Sequence, residues 1–591
     1  MHAQQKLFLY FLGAVLLSLI YFVQFVPQQV DTLYVNAVIY TMDETNSMAT
    51  ALAVRGDRIA GVGEREELEK RFSANMVIDF GGKTVIPGLI DAHAHLVSLG
   101  FARLTVDLVG ALSEREASLR VQERVRQVEG TDAWIRGRGW DQNDWASKQF
   151  PTHSSLDRVA AENPVYLSRV DGHAVWVNSR ALEIAGVTAE TPDPPGGKIH
   201  RDAAGNPTGV LIDAAMQLIT EYLPPPREDE IIEAMKIAAH ECVSLGLTSV
   251  HDMGVINNEI AVYKKLIDKK ELPLRVYAAI DGVGETWEEY LARGPEYYYG
   301  DHRLSVRSIK LYIDGALGSR GAALIEPYSD DPGNRGLTVV TEEDLRKTVD
   351  DALAKGFQVC THAIGDRGNN IVLNTYEAAL KANPQPDARL RVEHAQLLHP
   401  DDIPRFKQLN VIPSMQATHC TSDMYWAEAR LGPQRVRGAY AWRSLLNTDV
   451  IIPGGSDFPV EHPNPLLGMY AAVTRQDLNG RPQHAEDVRR YFQVSQEGIT
   501  DPAQFEGGWY ASQKLTREEA LRSFTVWAAL GAFEEDIKGS LERGKLADFV
   551  VLSADIMNVP AHQIPHIAVE RTVVGGKEVY RKPQLEARIE E

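Results

Sequence analysis

"GLIDAHAHLVSLG", residues 88–100, follows the apolar run "TVIP" and sets Asp91, His93 and His95 at every second position. The side-chain period of a β-strand is two, so these three residues point to one face near the strand's end. Two imidazoles on one face form a metal pincer. Taken alone, the pair reads equally well as two hydrogen-bonded or solvent-facing histidines, and the rest of the chain has to decide.

Seven further apolar runs end in turn signals or polar residues. They are "LTSVHDMG" (247–254), "LRVYAAIDG" (274–282), "SIKLYIDGA" (308–316), "FQVCTHAIGD" (357–366), "LRVEHAQ" (390–396), "NVIPSMQ" (410–416) and "VIIPGGSDFP" (450–459). Amphipathic patterns such as "EEDLRKTVDDALAKG" lie between them. Strand and helix in alternation imply parallel pairing, and eight such units imply a closed α/β barrel of the TIM type.

In such a barrel the site is built at the C-terminal ends of the strands. The polar residues that end these strands are His93, His95, Lys310, His362, His394 and Asp457. His and Asp are ordinary ligands of Zn²⁺ and similar divalent ions. Lys310 is the odd member, because an ammonium has no lone pair to donate and is repelled by a cation. It reads as an amine carboxylated by CO₂ into an oxygen donor that bridges two metals, as a catalytic ammonium, or as the ion-pair partner of Asp314.

The flanks organise the remainder. Short alternating runs near both ends, "TLYVNAVIYTM" and "ADFVVLSAD" among them, predict one composite β-domain from 31–86 and 537–582 around a barrel at 87–536. The long connection after the first strand predicts a folded insertion over approximately 101–240, and 460–511 is expected to act as a lid. Residues 7–26, "LFLYFLGAVLLSLIYFVQFV", carry no charge and are long enough to span a bilayer. Residues 1–30 therefore predict an uncleaved signal anchor that makes the membrane a partner and exports the body to the periplasm or outside. Secretion after signal-peptide cleavage is the alternative.

With 61 basic and 81 acidic residues the formal charge is -20, which repels polyanions and excludes nucleic acid as an expected partner. The three cysteines are too few and too scattered for a disulfide framework or a thiolate zinc site. Oligomeric state is not legible.

"DAHAH", "IKLYIDGALGSRGAAL", "THAIGD", "EHAQ" and "GGSDFP", in that order, resemble the amidohydrolase superfamily. The similarity is greatest to its type-3 branch, which includes N-substituted formamide deformylase-like proteins. "ERGKLADFVVLSAD" resembles the small β-domain of that superfamily, and "GWDQNDW" and "DGHAVWVNSRAL" resemble the branch's insertion, so the likeness spans 31–580. It implies a distorted (β/α)8 barrel with a composite β-sandwich and a mono- or binuclear metal centre. By position, His93 and His95 would hold the more buried metal with Asp457, and His362 and His394 the more exposed one. Lys310 would bridge them as the carboxylate.

The expected cofactors are thus two divalent ions, zinc first among them, with CO₂ on the lysine. The expected reaction is hydrolysis of a non-peptide amide or formamide of small-molecule size. Asp457 would accept a proton from the attacking water, and His173 in the insertion would donate to the tetrahedral oxyanion. His251 and Trp140 are candidate substrate contacts, Trp145 and Trp176 could line an apolar pocket, and Asp91 and Asp366 are candidate orienters of ligand imidazoles. The alternatives are a mononuclear deaminase or cyclic amidohydrolase, and a catalytically inactive barrel used for binding.

Overall fold

In the computed structural model, which describes residues 8, 27–128, 130, 133–493 and 501–583, all eight expected runs form parallel strands. They are Leu89–Ala94 (β1), Leu247–Val255 (β2), Arg275–Asp281 (β3), Leu304–Tyr312 (β4), Gln358–Ala363 (β5), Arg391–His394 (β6), Ile412–Gln416 (β7) and Gly454–Gly455 (β8). Each pairs with the next in chain order. Between β8 and β1 the barrel nearly closes, through Asp457 N–H to His93 O at 2.8 Å and His95 N–H to Phe458 O at 2.9 Å.

Gly455 permits that seam. A Cβ there would lie 2.6 Å from the His93 nitrogen and 2.8 Å from Asp91 Oδ1, so any larger residue would push β8 away from β1. The outward faces of the strands supply a large aliphatic core under the surrounding helices, with Val250, Val276, Ile309, Val359 and Val392 among its members. Barrel strands covered on both faces read as near-continuous apolar runs, and these do, apart from the polar residues that fill the interior.

Both ends of the chain contribute to one eight-stranded sheet. Gln28–Tyr40, Met48–Arg55, Arg58–Gly63, Phe72–Asp79 and Thr84–Pro87 come from one end, and Phe549–Leu552, Val569–Val574 and Lys577–Arg581 from the other. The join is the antiparallel pairing of Thr84–Pro87 with Phe549–Leu552. Apolar clusters cover both faces, Leu52, Val54, Phe80 and Phe549 in one and Val30, Leu33, Ala51 and Phe72 in the other. A buried ion pair from Arg275 on β3 to Asp548, Nε to Oδ2 at 2.7 Å, ties this sheet to the barrel.

Between β1 and β2, strands drawn from Val106 to Asp213 form a separate six-stranded sheet. Trp140, Trp145 and Trp176 pack edge-on or tilted in its core, with ring centroids 6.2–6.3 Å apart. The 460–511 segment carries the helices Pro465–Thr474 and Ala485–Tyr491, and 494–500 lie outside the described residues.

The membrane expectation requires correction. The stretch 7–26 lies outside the described residues except for Phe8. Among the described residues no helix is long and apolar enough to cross a membrane, whereas a span needs roughly 20 consecutive apolar residues in one helix. The transmembrane anchor, the membrane as partner and the exported, membrane-tethered location are withdrawn on that finding.

Candidate metal centre

The barrel mouth gathers side chains from the ends of β1, β4, β5, β6, β7 and β8. His93 is on β1 and His95 directly follows it. The oxygen Oδ1 of Asp457 lies 3.2 Å from His95 Nε2 and 3.6 Å from His93 Nε2. One donor atom from each of these three residues lies within 4.8 Å of the others, and the same holds for His394, His419 and Asp457. The His394 ring sits 4.7 Å from that of His93 and 4.6 Å from that of His362.

Three of the imidazoles are fixed by their outer nitrogens. His93 Nδ1–H donates to Glu393 Oε2 at 2.6 Å, His95 Nδ1–H to the Met253 carbonyl at 2.9 Å, and His394 Nδ1–H to Gln416 Oε1 at 2.8 Å. Each bond sets the tautomer and leaves an Nε2 lone pair for the interior, as in sites where an outer partner orients a metal ligand. The Lys310 amine donates to His93 Nε2 at 3.1 Å, which confirms where that lone pair points. His394 at φ 71° and Asp457 at φ 59° both hold left-handed backbone. Non-glycine residues pay for that conformation, and such strain clusters at functional sites.

Beneath the mouth lies a buried charged layer. Arg391 donates to both oxygens of Glu393, at 2.7 and 3.0 Å, and to Ser414 Oγ, the Ala92 carbonyl and His251. Burial alone would raise the Glu393 carboxyl, but Arg391 and His93 hold it far below the ordinary range. Glu393 is therefore an anion that keeps His93 Nδ1 protonated.

Burial likewise would raise Asp457, yet the His93, His95 and His394 imidazoles hold it well below a normal carboxylate. Lys310 is driven down by burial, against the pull of Glu393 and Asp457, which favours the neutral amine. Burial above all pushes His93 down to about 4, and burial pushes His394 well below 6.5.

A metal-binding imidazole must be neutral, and a lowered pKa keeps it neutral at lower pH. Cation retention is therefore expected to persist as pH falls through 6.5 and to be lost only toward about 4. Dialysis against zinc-free buffers of stepped pH, followed by elemental analysis, measures this. Half-release near pH 6.5 would mean that these rings titrate as if exposed.

The remaining expected residues divide. His362 ends β5, with its Nε2 turned to Asp314 Oδ1 at 3.6 Å. His173 donates from Nδ1 to Asp213 Oδ1 at 2.9 Å and lies near enough to His362 for its charge to act there. Burial would lower its imidazole, but Asp213 and Asp171 raise it above 6.5, so both ring nitrogens are donors in the cationic form.

His251 is fully buried one layer down, with Nδ1 at Arg391. Trp140 is not brought to the centre: it is fully buried in the insertion core, its indole N–H on the Leu167 carbonyl at 2.8 Å. Asp91 binds Ser456 Oγ at 2.6 Å and so pins the seam, and Asp366 accepts the Ile325 amide. Asp314 accepts three backbone amides, from Ala323, Ile364 and Gly365, and does not pair with Lys310.

Sequence reasoning missed Arg391, Glu393, Gln416 and His419. Opposite charges two apart in the otherwise apolar "LRVEH" were the available signal for the first two. His419 gave none, because it sits on the helix Ala417–Asp423 that follows β7 and not on a strand.

The donor set of imidazole Nε2 atoms and a carboxylate fits Zn²⁺ or a similar divalent ion. The Nε2 atoms of His362 and His419 are buried without hydrogen-bond partners, as expected of atoms reserved for something else. A parallel eight-stranded barrel with this cluster at its C-terminal mouth defines a hydrolase of the metal-site barrel class. The chain belongs to the amidohydrolase family, whose model matches residues 76–580.

Among curated proteins it is 35% identical over 567 residues to Protein LONG AFTER FAR-RED 3 of Arabidopsis thaliana, covering 93% of this chain and 91% of that one. It is 28% identical to N-substituted formamide deformylase of Arthrobacter pascens, covering 93% and 98%. Among solved structures it matches an uncharacterized metal-dependent hydrolase from Pyrococcus horikoshii with a TM-score of 0.71 and 27% identity, over 90% of this chain and 99% of that one.

Proposed function

We propose that this chain is a metal-dependent hydrolase of a carbon–nitrogen bond in a non-peptide amide or formamide. The observation that carries the reading is the presentation of His93, His95 and His394 Nε2 toward Asp457, each ring fixed from behind by a separate acceptor. The likeness to a formamide deformylase supports the substrate class.

His93, His95 and Asp457 would hold one divalent ion, and His394 stands ready for a second. Lys310 would add an oxygen donor once carboxylated, a reaction that needs the neutral amine its burial favours. When bound, the ions lower the pKa of a water from 15.7 toward about 7 and polarise a carbonyl. Asp457 takes the proton of the attacking water, being an ionised carboxylate at the mouth, and returns it to the leaving nitrogen. His173, whose cationic form Asp213 and Asp171 favour, would donate to the developing oxyanion with its ring held by Asp213.

The test is amine release from a panel of N-substituted formamides and N-acyl amines by the zinc-loaded chain. Chelation should abolish release, and zinc should restore it. A chain with an intact metal centre that releases no amine from any of these compounds would sink the reading.

A further inference from the structure

We propose that Arg138 is a positioning residue that fixes the gap between two halves of the reaction site, the Asp457 turn of the barrel and the His173 loop of the insertion. The inference rests on the roles given above to Asp457 and His173, and it adds the side chain that sets them facing each other.

Arg138 lies on the insertion strand Ile135–Trp140. One arm of its guanidinium donates to the Pro459 carbonyl, two residues after Asp457, and the other to the Val170 carbonyl, three residues before His173, at 2.5 Å. A planar fork with donors fixed relative to one another holds two acceptors at a set separation, which the single ammonium of a lysine does not. The guanidinium also lies near enough to Asp457 and Asp171 for both carboxylates to act on its charge.

Arg138 joins two loops that are each ordered within themselves. In the barrel turn, Val460 N–H returns to the Asp457 carbonyl at 2.8 Å. In the insertion loop, Asp171 accepts from the Arg169 guanidinium and from His173 N–H, and the His173 ring is held by Asp213.

The strand is shaped to aim this side chain. Its register against Val165–Arg169 slips between Arg138 and Trp140, and Gly139 takes a φ of 103°, in the region that favours glycine. Bulges of this kind re-aim a side chain and recur next to active sites. The insertion has apolar cores of its own around Trp140 and Val175, so Arg138 is not what holds its sheet together.

Kinetics, zinc content and hydrogen exchange of the zinc-loaded full-length chain test this, with Arg138→Gln made in the parent and in a His173→Gln background. A misplacement of about 1 Å at a reacting group costs on the order of a hundred-fold. Arg138→Gln is therefore expected to lower kcat on a formamide by about a hundred-fold, with KM within about threefold of the parent and zinc retained. In the His173→Gln background the same change should cost about threefold or less, because the group it positions is gone. The amides of 170–173, 457, 458 and 460 should exchange about tenfold faster in Arg138→Gln, while the barrel strands keep the parent rate.

A raised KM with kcat unchanged would make Arg138 a substrate contact, and an equal loss in both backgrounds would separate it from His173. Either result overturns the proposal. Unchanged exchange in the two segments overturns it as well, whether or not a formamide is turned over. A parent that releases no amine removes the proposed function, and the exchange comparison then decides the bridge by itself. Arg138→Lys, which keeps the charge but has one point of attachment, replaces the glutamine variant if that variant does not fold, with a loss of about tenfold in kcat expected.

Discussion

Replacing Asp457 by Asn is expected to lower kcat/KM on a formamide substrate by about a thousand-fold while the fold persists. Asparagine keeps the shape and an oxygen at the site, but it carries no charge and accepts no proton. The carboxylate is held ionised against its burial by the surrounding imidazoles, so the native residue is in its basic form at any working pH. Steady-state kinetics and circular dichroism on the parent and the variant provide the measurement. A variant within tenfold of the parent would remove Asp457 from the proton-transfer role.

Arg391→Met should produce the largest loss of stability, about 3–5 kcal/mol, because it leaves a buried carboxylate without its counter-charge. Both partners are fully buried, and Arg391 makes two bonds to Glu393 at 2.7 and 3.0 Å. Urea unfolding reports the change. The double variant Arg391→Met, Glu393→Leu should recover part of it, since the unpaired charge is then gone. It should still bind zinc poorly, because His93 has lost the acceptor of its Nδ1 proton. A single variant as stable as the parent would mean that Glu393 is neutral or solvated, against its placement.

The barrel was legible because each strand announces itself as a short apolar run with a polar end, and all eight fell where the runs are. The meeting of His93 and His95 at the barrel mouth was legible for the same reason: period two carries both to one face. Glu393 escaped because alternation allows only one of two adjacent residues to face inward. The left-handed turn at His394 breaks that rule and admits both Glu393 and His394.

His419 escaped because a helix after a strand carries no positional signal for the mouth. Trp140 was read as a pocket wall, although aromatic residues in an insertion serve first to build its core, and this one does. The apolar run at 7–26 is strong in sequence, but the described residues contain no helix that could use it as a span.

The seam between β1 and β8 joins the two barrel strands most distant along the chain, with Asp91 and Ser456 separated by 365 residues. The close group of His93, His95 and Asp457 draws its side chains from both sides of that seam. A nascent chain therefore cannot assemble the cation site until almost the whole barrel has been synthesised, and premature capture by a partial fold is avoided. Once both sides meet, an ion held by His93, His95 and Asp457 would tie the beginning of the barrel to its end across a seam that backbone hydrogen bonds already draw together.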